Sequence, residues 1–127
     1  MADPIGTYSN KLVSFSFNKT SDGLLQETYS YEGEAEGFGA IIGTLIITHA
    51  LAAAGESSGV ATYVGKAIAD DNSMIGGIGE GTWEQVGNEP RFNVSLVIEL
   101  SNGTKFRSVG VADNETRTLN GHNYAVE

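Results

Sequence analysis

The side chains best suited to chemistry in this sequence are a histidine, a carboxylate and a tyrosine: His49, Glu80 and Tyr63. His49 ends the run Ile41, Gly43, Leu45, Ile47, the more apolar face of an alternating segment. An inward histidine at a strand end titrates near neutrality and can give or take a proton. The competing role is a core histidine bonded to a backbone carbonyl. A glutamate enclosed among apolar groups has its pKa raised and can serve as general acid or base, which makes Glu80 a second candidate. Its face carries Met74, Gly76, Ile78 and Thr82, while the opposite face carries Ile75, glycines and Trp83. Parity leaves open which of Glu80 and Trp83 lies inside; Trp83 is assigned inward. The hydroxyl of Tyr63 would stabilise developing negative charge. Glu32, Glu34 and Glu36 share one face and read as solvated groups that protect an edge.

Other motifs lose their chemistry in context. Gly55-Glu56-Ser57-Ser58-Gly59 matches a nucleophile elbow, but strand-forming Val60-Ala61-Thr62-Tyr63-Val64 follows where a helix is required. Gly76-Gly77-Ile78-Gly79-Glu80-Gly81 lacks the lysine and Ser/Thr of a phosphate loop. Asp70-Asp71-Asn72 has Ile75 where a calcium loop needs glycine, so it reads as an acidic turn. Two histidines with no metal-ligand spacing give no metal site. Asn-x-Ser/Thr sequences at Asn18, Asn93, Asn102 and Asn114 are expected by chance in a chain rich in these residues.

The elements that position these groups are strands. Val13, Phe15 and Phe17 alternate with Ser14, Ser16 and Asn18, the pattern of a half-buried strand. Further strands are predicted over about 25–36, 39–49, 60–68, 74–84, 92–100 and 105–112, with 121–126 as an eighth. Ala50-Leu51-Ala52-Ala53-Ala54 is too short for an independent helix and reads as one turn or a loop. Between Leu100 and Lys105, a Ser-Asn-Gly loop with Gly103 in the left-handed region pairs Ile98 with Phe106 and Glu99 with Lys105. That register puts apolar residues on one face and charges on the other, whereas a two-residue Asn-Gly loop mixes them. Phe92, Val94, Leu96, Ile98 and Phe106 then face inward. By the same parity Leu12, Ile42, Ile46 and Val97 face outward.

Antiparallel strands joined by short turns must close or stack to hide their edges. Glycines within strands, such as Gly33, Gly43, Gly65 and Gly79, favour closure. The expected fold is all-β, a single antiparallel up-and-down barrel of about eight strands over residues 1–127, with a β-sandwich as the alternative. The 127-residue length suits one domain, and the absence of cysteine excludes disulfides and thiolate chemistry. A net charge of -9 argues against nucleic acid and anionic membrane as partners. Residues 1–10 lack the basic start and apolar core of a signal peptide, so a cytoplasmic location is expected.

With Gly-Glu-Gly-Thr-Trp at 79–83, the strand series and acidic short chain resemble the calycin-shaped barrels, above all the allene-oxide-cyclase-like families. The resemblance implies a barrel that is either a cofactor-free cyclase or isomerase, or a binder of apolar molecules. It assigns no catalytic residue. The leading expectation is therefore binding of a small, largely apolar molecule in a cavity lined by Phe15, Tyr29, Tyr31, Tyr63, Trp83, Leu96 and Phe106. The rivals are an isomerase or cyclase acting in that cavity, without cofactor, through His49, Glu80 and Tyr63, and a packed barrel serving as an interaction module. The outward Ile42 and Ile46 suggest a homodimer through that wall.

Overall fold

Each alternating run of the sequence forms a strand in the computed structural model, which describes residues 4–126. The strands are β1 (Pro4–Lys19), β2 (Leu25–Ala35), β3 (Gly39–His49), β4 (Ser58–Ile68), β5 (Met74–Gln85), β6 (Arg91–Leu100), β7 (Lys105–Asp113) and β8 (Thr118–Ala125). All neighbours pair antiparallel in chain order, and β8 returns to β1, so the sheet is a closed eight-stranded up-and-down barrel. Closure removes most of the unpaired edge that an open sheet would expose. Leu51–Ala53 forms a single 3-10 turn between β3 and β4. Among the described residues, no helix is long and apolar enough to cross a membrane.

The β6–β7 hairpin shows how burial fixes register. Ile98 lies opposite Phe106 and Glu99 opposite Lys105, with Gly103 at φ 89° closing the turn. Val94, Leu96, Ile98 and Phe106 are buried in consequence. A register slipped by one residue would turn that apolar set to solvent.

Two strands, β1 and β8, extend furthest beyond the predicted limits. β1 begins at Pro4 and β8 at Thr118, because their inward positions include Asn10, Gly121 and Asn123, which break the apolar alternation. The inward reading of Val13, Phe15 and Phe17 is corrected as well. β1 pairs with β2 along most of its length but with β8 only as far as Lys11, so residues 13–19 overhang the barrel. The three apolar side chains there are 53–54 % exposed. A bulge between Leu12 and Ser14 shifts the parity. Leu12, expected outside, therefore packs against the core on the face that Phe15 continues.

Glycine makes room for rings inside this narrow barrel. A Cβ at Gly43 would overlap the ring and hydroxyl of Tyr63, which lies across β3; Tyr8 crosses Gly110 and Gly121 in the same way. Tyr31, Leu45, Tyr63 and Val94 form a middle layer that divides the interior. Above it lie the loops at 20–24, 50–57, 86–90 and 114–117; below it lie the other turns and both ends of the described chain.

Candidate functional site

The upper chamber has a volume of about 290 Å³, near the small end of the range for ligand pockets. Its aromatic walls are Tyr29, Tyr31, Trp83 and Phe92, and Leu45, Ile47 and Val94 fill the spaces between them. Trp83 and Phe92 meet edge to face at 5.8 Å between centroids. The indole Nε1 of Trp83 is buried against Gly59 and has no hydrogen-bond partner.

Polar side chains stand at the upper end of this chamber: Glu27 and His49 on β2 and β3, Glu56 in the loop at 50–57, Gln85 at the end of β5 and Asn114 after β7. His49 closes β3 and lies opposite Leu25, with Glu27 two residues further along β2. The His49 Nε2 is 2.6 Å from Glu27 Oε2, and its Nδ1 is 3.1 Å from the Ala50 carbonyl oxygen. The other oxygen of Glu27 accepts a short hydrogen bond from the Tyr29 hydroxyl. The hydrogen bond to Glu27, then that to Ala50, raises the His49 pKa above its ordinary value. Burial, reinforced by the bond to Glu27, pushes the Tyr29 phenol up, so it stays protonated and donates. What the network leaves open to a guest is acceptor capacity on Tyr29 Oη and the Glu27 carboxylate.

The lower chamber is smaller, about 70 Å³. Ile41, Ile75, Ile98, Leu100 and Phe106 give it an apolar wall, and Phe38 stacks on Phe106 at 5.2 Å beneath it. Tyr8, Asn10, Ser108 and Asn123 occupy the opposite side. Burial raises the Tyr63 phenol to about 12, and also raises that of Tyr8.

The cavity expected from the sequence is thus two chambers. Tyr29, Tyr31 and Trp83 line the upper one; Tyr63, Leu96 and Phe106 line the lower one. Phe15 lines neither, and with Phe17, Leu12 and Arg117 it forms a shallow groove on the overhang. Of the acid–base candidates, His49 lies at the upper chamber. Glu80 is corrected: it points out from the barrel, exposed, opposite Thr62 and Val97, and cannot reach an enclosed molecule. Tyr63 is in the other chamber from His49, so the three residues do not form one group. His122 is exposed on the outer wall of β8. Asp71 spends its carboxylate on the backbone and hydroxyl of Ser73 within an acidic turn.

Glu27 is not among the residues the sequence singles out, although its alternation with Tyr29 and Tyr31 puts it on their face of β2. Asn10, Ser108 and Asn123 left no comparable signal, since polar residues in a strand read as solvent-facing. Set against models of known families, curated proteins and solved structures, the chain shows no significant match, so the side chains themselves carry the functional reading.

Proposed function

We propose that this protein binds a small, largely apolar molecule in the upper chamber, with one O–H or N–H of the guest donated to Tyr29 or Glu27. The observation behind this reading is a chamber of about 290 Å³ with an aromatic and aliphatic wall, whose charged and amide side chains, Glu27, His49, Glu56, Gln85 and Asn114, stand at its upper end. Such a site gains affinity from apolar burial and orientation from a few polar contacts. Calycin-shaped and allene-oxide-cyclase-like barrels share this layout, which supports the reading without assigning the chain to them. Self-association through the outer wall belongs to the same proposal; Ile42, Val64 and Ile78 are 55 %, 39 % and 62 % exposed there.

Native mass spectrometry of protein purified without denaturation tests the binding. Added mass that leaves on unfolding is expected, and it should be absent from Ile47→Phe, which fills the chamber. A bare wild-type mass across several preparations would count against the proposal.

The hydrogen-bonded Tyr29–Glu27–His49 group favours a second reading, a cofactor-independent isomerase or cyclase. Glu27 would take a proton from an activated carbon of the substrate and return it at another position, while His49 balances the charge. Turnover should disappear in Glu27→Gln and His49→Ala while substrate affinity stays within a few fold. Unchanged turnover in both variants would remove this reading.

A further inference from the structure

The three buried polar side chains among the described residues, Asn10, Ser108 and Asn123, are only 6 %, 6 % and 3 % exposed, and all three line the lower chamber. They come from three adjoining strands. Ser108 lies directly opposite Asn123 across β7 and β8, and Asn10 lies on β1, the next strand round. The Asn123 Oδ1 is buried without a hydrogen-bond partner. Folding gains nothing from such a group, since a leucine there would fill space with no polar atom to desolvate. The surroundings make room for the cluster. A Cβ at Gly33 would crowd Asn10 Oδ1, and a Cβ at Gly110 or Gly121 would crowd the Tyr8 hydroxyl. Glycines in strands cost stability, and here they admit polar side chains to the interior.

We propose that the lower chamber is a second binding site, separate from the upper one, for a small neutral carboxamide. The Asn123 Oδ1 accepts the ligand N–H. The Asn amide groups supply donors for its carbonyl, joined by one hydroxyl of the Tyr8–Ser108 pair, which bond to each other, and Ile41, Ile98 and Phe106 cover its carbon side. Neutrality follows from the lining: its one charged side chain is Lys66, which is exposed. An ion held among the amides would lose its hydration without a buried counter-charge. The volume sets the size. At about 70 Å³ it is roughly half of the 150 Å³ apolar cavity that takes benzene, so it suits a carboxamide head with a short tail.

Three molecules of nearly the same shape test this: acetamide, acetone, which lacks the N–H, and acetate, which is charged. Each is titrated into the intact protein while the side-chain amide signals of Asn10 and Asn123 are followed by NMR. Acetamide is expected to shift both signals saturably, acetone to bind at least tenfold more weakly, and acetate not to bind. Asn123→Leu should weaken acetamide binding at least tenfold. Ser108→Ala, a smaller change that keeps the fold if Asn123→Leu does not, should weaken it at least threefold. The absence of a saturable acetamide shift, equal affinity for acetone, or undiminished affinity in the variants would overturn the proposal. Binding in the upper chamber is measured independently, so failure of either site leaves the other standing.

Discussion

His49 Nε2 lies 2.6 Å from a carboxylate oxygen of Glu27, while Nδ1 of the same ring faces the Ala50 carbonyl oxygen at 3.1 Å. Both ring nitrogens therefore meet acceptors. An imidazole satisfies two acceptors only when both nitrogens carry protons, so this geometry favours imidazolium paired with carboxylate. The pair ties β2 to β3 at the rim of the upper chamber and fixes where Glu27 and Tyr29 present their remaining lone pairs.

The titration of His49 should report this pairing. Its folded-state pKa is raised above the ordinary 6.5 by the bond to Glu27, then by that to Ala50. The stability it contributes is fully present below about pH 6.5 and is lost as pH rises through the folded value. Urea midpoints of the wild type should therefore fall across that window relative to Glu27→Gln. NMR titration of the His49 ring should show the raised pKa returning toward its ordinary range in Glu27→Gln. An unchanged ring titration in that variant would refute the pairing.

Trp83 is the single tryptophan of the chain and lines the upper chamber, so its emission reports on occupancy. Cyclohexylmethanol has an apolar body and one hydroxyl, and it does not absorb where tryptophan is excited. It should change the emission saturably. Ile47→Phe should weaken binding at least tenfold by occupying the space. Tyr29→Phe removes one acceptor and should cost about 0.5–1.5 kcal/mol of binding. If neither substitution changes the titration, the alcohol is binding elsewhere.

The barrel was legible in the sequence where one face of each strand is apolar. The register of β6 and β7 follows from Ile98 and Phe106 together with Glu99 and Lys105, because only one pairing separates them. Legibility failed where the interior is polar. The start of β1 carries Asn10 inward and β8 carries Asn123, so alternation fades in the strands that build the lower chamber. Local pattern and global fold tend to disagree at sites that do something besides pack. The division into two chambers was also hidden, since it arises from Tyr31, Leu45 and Tyr63 of β2, β3 and β4 converging inside the barrel with Val94 of β6, which alternation along single strands does not show. Phe15 was misplaced for a further reason: sequence alternation does not show that β8 ends its pairing at Lys11.

Gly43 is predicted to be intolerant of even one added carbon. Its absent side chain is where the Tyr63 ring lies, in the layer between the chambers. Gly43→Ala should destabilise the fold by about 1–3 kcal/mol, the usual range for overpacking a core. Tyr63→Leu alone should also destabilise, because it opens a cavity. Combined, the two should cost clearly less than the sum of the separate losses, since the leucine does not occupy the position of the ring. Urea unfolding of the four proteins measures the coupling, and simple additivity would show that Tyr63 does not occupy that space.

Self-association is predicted to depend on the outer wall of β3, β4 and β5. Val64 lies opposite Ile78, and Ile42 lies diagonally from Val64 on β3, opposite the exposed Lys66, so a small apolar patch bordered by a lysine sits on a chain of net charge -9. Sedimentation velocity at micromolar concentration should show a dimer, and Ile78→Lys should dissociate it. The choice of lysine separates two causes. It lowers the magnitude of the net charge and so weakens the general repulsion between acidic copies. Dissociation would then have to come from the lost apolar contact and from desolvating the new ammonium group, both local to the wall. A wild-type monomer at these concentrations would exclude the wall as a dimer interface. A dimer that survives Ile78→Lys together with Ile42→Lys would place the interface elsewhere, with the overhanging residues 13–19 of β1 the next surface to substitute.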